Sequence, residues 1–187
     1  MKSSVFSFKK IFFLIFASFL IMWASTAGAT TALSTDGSWY AFRFYTVGDH
    51  VQPREGDVAY NLLASDGDPF TFTLNQPGIL SIVDLQLSVD QFHVFINGTD
   101  MGVTSAPSEG GNVWLDVDAA LADARFSRGI YGLNPGDYSV ELILYAGNYL
   151  PGAGAISVSV SSVPEPASMF LLGIGLIGLV GLRRKIQ

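Results

Sequence analysis

Cysteine is absent from the 187-residue chain. That removes disulfides, thiol nucleophiles and thiolate metal ligands from consideration, so the fold must stand on its core alone. Lysine is absent between Thr30 and Ser162. Only Arg43, Arg54, Arg125 and Arg128 lie in that span, against fifteen Asp and Glu, which leaves a formal charge of −11. So acidic a body repels nucleic acid and anionic lipid; cations and neutral sugars are the compatible partners. Histidine is limited to His50 and His93, too few to build a zinc site without cysteine. No G-x-S-x-G nucleophile elbow occurs, no complete D-x-D-x-D-G calcium loop, no Thr-x-Thr array and no repeat of 20–50 residues.

What is present sits first at the two ends. Lys2, Lys9 and Lys10 precede an apolar run, Ile11–Trp23, and then Ala27-Gly28-Ala29. This is the charged, apolar and small-residue order of a secretory signal peptide, with Ala27 and Ala29 at the cleavage site. Cleavage by signal peptidase makes residues 1–29 the leader and Thr30 the mature start; an uncleaved signal anchor is the alternative. At the other end, Val163-Pro164-Glu165-Pro166 is held extended by its prolines and open to a protease. Residues 167–182 then carry no charge, and Arg183-Arg184-Lys185 follow. Sixteen residues fall short of the roughly 20 that usually span a bilayer, but Arg183 and Arg184 can snorkel. Gly173, Gly175, Gly178 and Gly181 argue against a buried soluble helix, since each costs about 1 kcal/mol there. The expectation is a transmembrane helix over 167–182 with a cytoplasmic C-terminus.

This tail resembles the PEP-CTERM sorting tail of exported bacterial proteins. The resemblance rests on Val163, Pro164, Glu165 and Pro166, on the Gly-rich apolar helix, and on Arg183, Arg184 and Lys185. It implies recognition by an exosortase, a membrane-embedded Cys protease or transpeptidase. The protein would pass through an inner-membrane intermediate to the cell surface or the extracellular space, typically in bacteria that make extracellular polysaccharide.

Between the ends, residues 30–162 read as one strand-rich domain. Trp39–Tyr45 is aromatic and partly alternating. Pro69–Leu74, Phe92–Ile96, Tyr138–Tyr145 and Ala155–Val163 alternate apolar with polar, and Ile79–Leu87 is a further strand. Asn97-Gly98 is a tight-turn signal, with a return strand from Met101 to Thr104. Gly48–Asp68 reads as a long loop with one short strand near Val58–Leu63. The one helical candidate is Asp118–Arg125, capped by Asp118. Short strands without alternating helices indicate an all-β fold, an antiparallel β-sandwich of jelly-roll-like kind with one short helix. The signal helix and the transmembrane helix flank it. Asp90–Gly98 with Gly102–Ser105, and Asp116–Gly129, resemble a domain common in PEP-CTERM proteins and not functionally characterised; prolines usual near Val117 and Ala124 are missing here. That resemblance implies a β-sandwich and no activity.

Asp116, Asp118 and Asp123 form the best metal candidate, because calcium takes clustered carboxylates at loop–helix junctions. The competing role for them is capping by Asp118 and pairing of Asp116 or Asp123 with Arg125 or Arg128. Calcium is the one cofactor this set would suit; nothing else in the chain points to one. His93 needs a nucleophile and an orienting partner to act as a base; Ser88 and Asp90 are near in sequence, but without a nucleophile elbow a sheet-face histidine is the favoured reading. Tyr40, Tyr45, Tyr60, Tyr131, Tyr145, Tyr149, Trp39 and Trp114 can stack sugars if one face gathers them, though aromatics at strand spacing are more often core. The functional expectation is therefore a non-enzymatic protein of the surface or biofilm matrix, structural or adhesive. A carbohydrate- or calcium-binding module is the alternative.

Overall fold

A computed structural model describes residues 29–161. The signal segment 1–28, and the Pro-Glu-Pro, apolar and basic parts of the tail, lie outside the described residues. Within 29–161 two curled sheets pack face to face as a β-sandwich.

One sheet has five strands: β1 (Thr31–Ala32), β4 (Phe70–Leu74), β10 (Gly136–Ala146), β6 (Gln91–Ile96) and β7 (Thr99–Val103), in that order. The other runs β3 (Leu62–Leu63), β2 (Asp36–Phe44), β11 (Gly152–Val160), β5 (Gly78–Leu87) and β8 (Asn112–Trp114), with β9 (Arg128–Leu133) also on β5. The long pairings are antiparallel, as the alternating pattern implies. Two short edge pairings, β1 with β4 and β2 with β3, are parallel.

Period-two alternation sets the interior. Leu80 and Ile82 of β5, Phe92, Val94 and Ile96 of β6, and Val140, Leu142 and Leu144 of β10 all point between the sheets and are buried. Phe42, Phe44, Phe70 and Phe92 form the aromatic centre, with the Phe42–Phe92 centroids 5.3 Å apart and nearly perpendicular. Edge-to-face packing of this kind adds to the burial free energy.

A second core lies on the far face of the six-stranded sheet. Val83 and Leu85 of β5 pack there with Leu115, Phe126 and the helix residues Val117 and Ala120. Helix α1 (Val117–Ala122) roofs this face, so β5 is buried on both sides. That is why its sequence reads as a nearly continuous apolar run.

The helix is shorter and starts earlier than the sequence implies. Asp116, not Asp118, is the cap: its Oδ1 accepts from the Ala119 N–H at 2.9 Å. Burial of Val117 and Ala120 fixes this register. Near Val58–Leu63, a 3₁₀ turn over Val58–Tyr60 precedes the two-residue strand β3. Asp57 caps that turn through Ala59 N–H, and Asn61 leaves it at φ 52°. The hairpin at Asn97-Gly98 forms as read, with φ of 50° and 73°. These are the paired left-handed residues that match the twist of a two-residue turn.

Strand β11 begins at Gly152 rather than Ala155. The small residues of Gly152-Ala-Gly-Ala155 are a packing requirement, since the Phe44 ring lies against Gly152 and the Phe42 ring against Gly154. Gly154→Ala should cost about 1–3 kcal/mol through overpacking, read as a lower urea midpoint with an unchanged m-value.

Candidate functional site

An acidic pair closes one end of the main core. Asp84 continues the interior phase of Leu80 and Ile82 on β5, where an apolar residue would be expected. Asp90 stands just before β6, in phase with Phe92. The two carboxylates therefore come from opposite sheets. Asp84 is 0% exposed and Asp90 1%. Asp84 Oδ2 accepts from the Asp90 N–H at 3.2 Å, tying the β5–β6 connection together. Oδ1 of Asp84 and Oδ1 of Asp90 are buried with no hydrogen-bond partner. Burial, then the neighbouring Asp90 charge, pushes the Asp84 carboxyl up to about 9; burial pushes Asp90 up to about 7. Desolvation of a charged form acts in this direction.

Asp90 also borders a cavity of about 400 Å³, open to solvent. Gln86, Asn112, Trp114, Tyr149 and Leu150 help to line it. Trp114 and Tyr149 are 55% and 61% exposed. Gln86 and Trp114 pair directly across β5 and β8, and both have left-handed backbones, at φ 66° and 53°. Left-handed geometry is uncommon outside glycine and gathers at functional positions. Gly147 and Gly152 flank the Asp90 carboxylate so closely that a Cβ at either would meet it.

The expected metal set is not assembled. Asp116 is spent on the helix cap. Asp123 grips Arg125, with Arg125 Nη2 to Asp123 Oδ2 at 2.6 Å, and Asp118 stays exposed in the first helical turn. Among the described residues, no group of three His, Asp or Glu side chains is placed to hold a metal. Asp116→Ala should cost about 1 kcal/mol, the ordinary worth of a helix cap; thermal melts in metal-free buffer measure it.

Both histidines pair with aspartate. His93 Nε2 lies 2.7 Å from Asp100 Oδ1 at the β6–β7 hairpin. The Gly102 N–H, then His93, holds Asp100 below the usual carboxylate range. His50 Nδ1 lies 2.6 Å from Asp68 Oδ2, and that contact raises His50. Burial raises Asp68. Among the described residues no hydroxyl hydrogen-bonds either imidazole, so neither pair has the nucleophile a hydrolytic triad needs.

The aromatic residues disperse. Tyr40 and Tyr131 pack on the main core and Trp39 on the second, while Tyr45 and Tyr145 are exposed elsewhere. Among the described residues, two cavities each bring an aromatic pair together: Trp114 with Tyr149 beside Asp90, and Trp39 with Tyr60 beside Asp116 and Asp118. Sequence reasoning missed Asp84. Its one signal was an acid inside Ile82-Val83-Asp84-Leu85 at the interior phase.

Among the described residues no helix is long and apolar enough to cross a membrane. Residues 162–185 match the family described as the PEP-CTERM protein-sorting motif. No curated protein matches the chain. Among solved structures, the chain is similar to the pre-peptidase C-terminal domain of collagenase from Bacillus anthracis, at 12% identity and a TM-score of 0.33. That likeness covers 70% of this chain and 92% of the other. The protein thus carries, directly behind a β-sandwich, a PEP-CTERM motif of the kind that sends exosortase substrates to the cell surface.

Proposed function

We propose that the β-sandwich is the delivered body of a non-enzymatic surface or matrix protein, with a structural or adhesive role. In this reading signal peptidase removes the leader after Ala29. The 167–182 segment holds the intermediate in the inner membrane with Arg183, Arg184 and Lys185 in the cytoplasm. Exosortase then acts at Pro164-Glu165-Pro166. The observation that carries the reading is the sorting motif at 162–185, which begins two residues after β11 ends. An acidic, lysine-free exterior suits a matrix of neutral polysaccharide and cations.

The test replaces Pro164, Glu165 and Pro166 with alanine in the native host. The processed form should vanish and the unprocessed chain should accumulate in the membrane fraction. Normal release of the variant would remove the sorting step from this account.

A second reading, carbohydrate binding, is favoured by Trp114 and Tyr149 at the mouth of the Asp90 cavity. Exposed aromatic faces stack on sugar rings, and buried polar groups orient the hydroxyls. Trp114→Ala should abolish retention on host polysaccharide while leaving the melting temperature within a degree or two. Equal retention of both proteins would end this reading.

A further inference from the structure

We propose that Asp84 and Asp90 form a divalent-cation site, with calcium as the natural occupant, which clamps the two sheets together at the cavity end of the core. Three observations converge on it. First, two carboxylate oxygens, Asp84 Oδ1 and Asp90 Oδ1, are buried without a partner. Buried polar groups are nearly always satisfied, so an orphan oxygen on each of two residues joined by the Asp90 N–H to Asp84 Oδ2 bond points to a missing ligand. Second, among the described residues no basic side chain forms an ion pair with either carboxylate. Arg125 is engaged by Asp123 and the Gly110 carbonyl, Arg128 by the Leu121 carbonyl, and Arg43 lies over the Tyr45 ring. Arg54 sits in the long loop, with its Nε buried and without a hydrogen-bond partner, and forms no ion pair with either carboxylate. No lysine exists in the domain. Two like charges in a dry site cannot both ionise without an added cation. Third, Asp90 borders an open cavity, which gives an ion a way in and leaves room for water ligands.

The donor chemistry selects the ion. Every candidate ligand is an oxygen: the two carboxylates, the side-chain carbonyl of Gln86 at the cavity wall, and water; the Asn112 Oδ1 beside it already accepts from the Trp114 N–H. Calcium takes six to eight oxygens at flexible geometry, whereas zinc prefers nitrogen and sulfur. A site with two carboxylates suits the weak end of the range, about 10⁻⁴–10⁻³ M, found in extracellular modules. The natural occupancy therefore rests on the export reading, but the site itself does not. It differs from the Asp116, Asp118 and Asp123 set, of which Asp116 caps the helix and Asp123 holds Arg125.

The experiment uses the full-length chain in mild detergent, stripped of metal and then titrated with CaCl₂ at pH 7.5. The melting temperature should rise by about 5 °C or more at saturating calcium, because the ion binds only the folded state. Asp84→Asn and Asp90→Asn should each abolish that rise, while Asp118→Asn should keep it. Calorimetric titration of the unmutated chain should give one calcium per chain. Affinity should strengthen from pH 6 to pH 9, since calcium must displace protons from the pair. That readout needs no variant and survives any folding failure. No calcium-dependent rise in the unmutated chain would overturn the proposal, and so would a full rise in both Asn variants. Because the assay is performed on purified protein, its failure leaves the sorting reading standing, and a sorting failure leaves this site standing.

Discussion

Replacing Phe92 with alanine should lower the unfolding free energy by about 3–5 kcal/mol. Phe92 is fully buried at the meeting point of both sheets. Its ring lies 5.3 Å from Phe42 and 5.2 Å from Phe44, edge-on to both. Alanine leaves a cavity that the surrounding strands cannot close, because Phe42 and Phe44 are themselves held against Gly154 and Gly152. The chain has no disulfide to limit the unfolded state. A loss of this size is a large part of the 5–15 kcal/mol typical of a domain. Urea unfolding of the processed chain measures it. A loss under about 1 kcal/mol would mean that the aromatic centre is not packed as described.

Asp84→Asn should do the opposite in metal-free buffer: stabilise the protein at pH 8 and leave it nearly unchanged at pH 4. The folded carboxyl is raised from its usual 3.8 to about 9. A raised acid binds more protons in the folded state than in the unfolded one. Its contribution is therefore fully present below about pH 4 and is lost as pH climbs toward 9. Asp90, raised to about 7, adds a loss over roughly pH 4–7. Asparagine keeps the acceptor for the Asp90 N–H and offers an amide donor toward the Asp90 carboxylate. At pH 8 the gain should be about 3 kcal/mol, less than the full shift implies because the asparagine amide must itself be buried. The stability–pH curve of the variant should be correspondingly flatter. Greater stabilisation at pH 4 than at pH 8 would contradict the buried pair.

The strand pattern was legible because interior and exterior residues alternate strictly in β4, β6 and β10. Local chemistry was legible too: Asn97-Gly98 can hardly form anything but a tight hairpin. The helix cap was misplaced by two residues, since only the packing of Val117 and Ala120 under β5 decides which aspartate is left over as cap. The start of β11 was hidden because Gly-Ala-Gly-Ala reads as loop until the Phe42 and Phe44 rings are laid across it. The acidic site was hidden for a related reason. Asp84 looks like an exception inside a strand and Asp90 like a turn residue. Only the fold of the β5–β6 connection, which carries the chain from one sheet to the other, turns both carboxylates into one end of the core. The expected Asp116, Asp118 and Asp123 cluster drew on proximity in sequence, which a helix cap and an adjacent arginine were enough to consume.

The most direct test of the central claim is the intact mass of the protein recovered from the envelope and medium of its native host. The account predicts a chain that starts near Thr30 and ends near Pro164–Pro166, so that the β-sandwich is the whole delivered object. A mass that still includes the apolar run and Arg183, Arg184 and Lys185 would contradict it, and would make this a resident membrane protein.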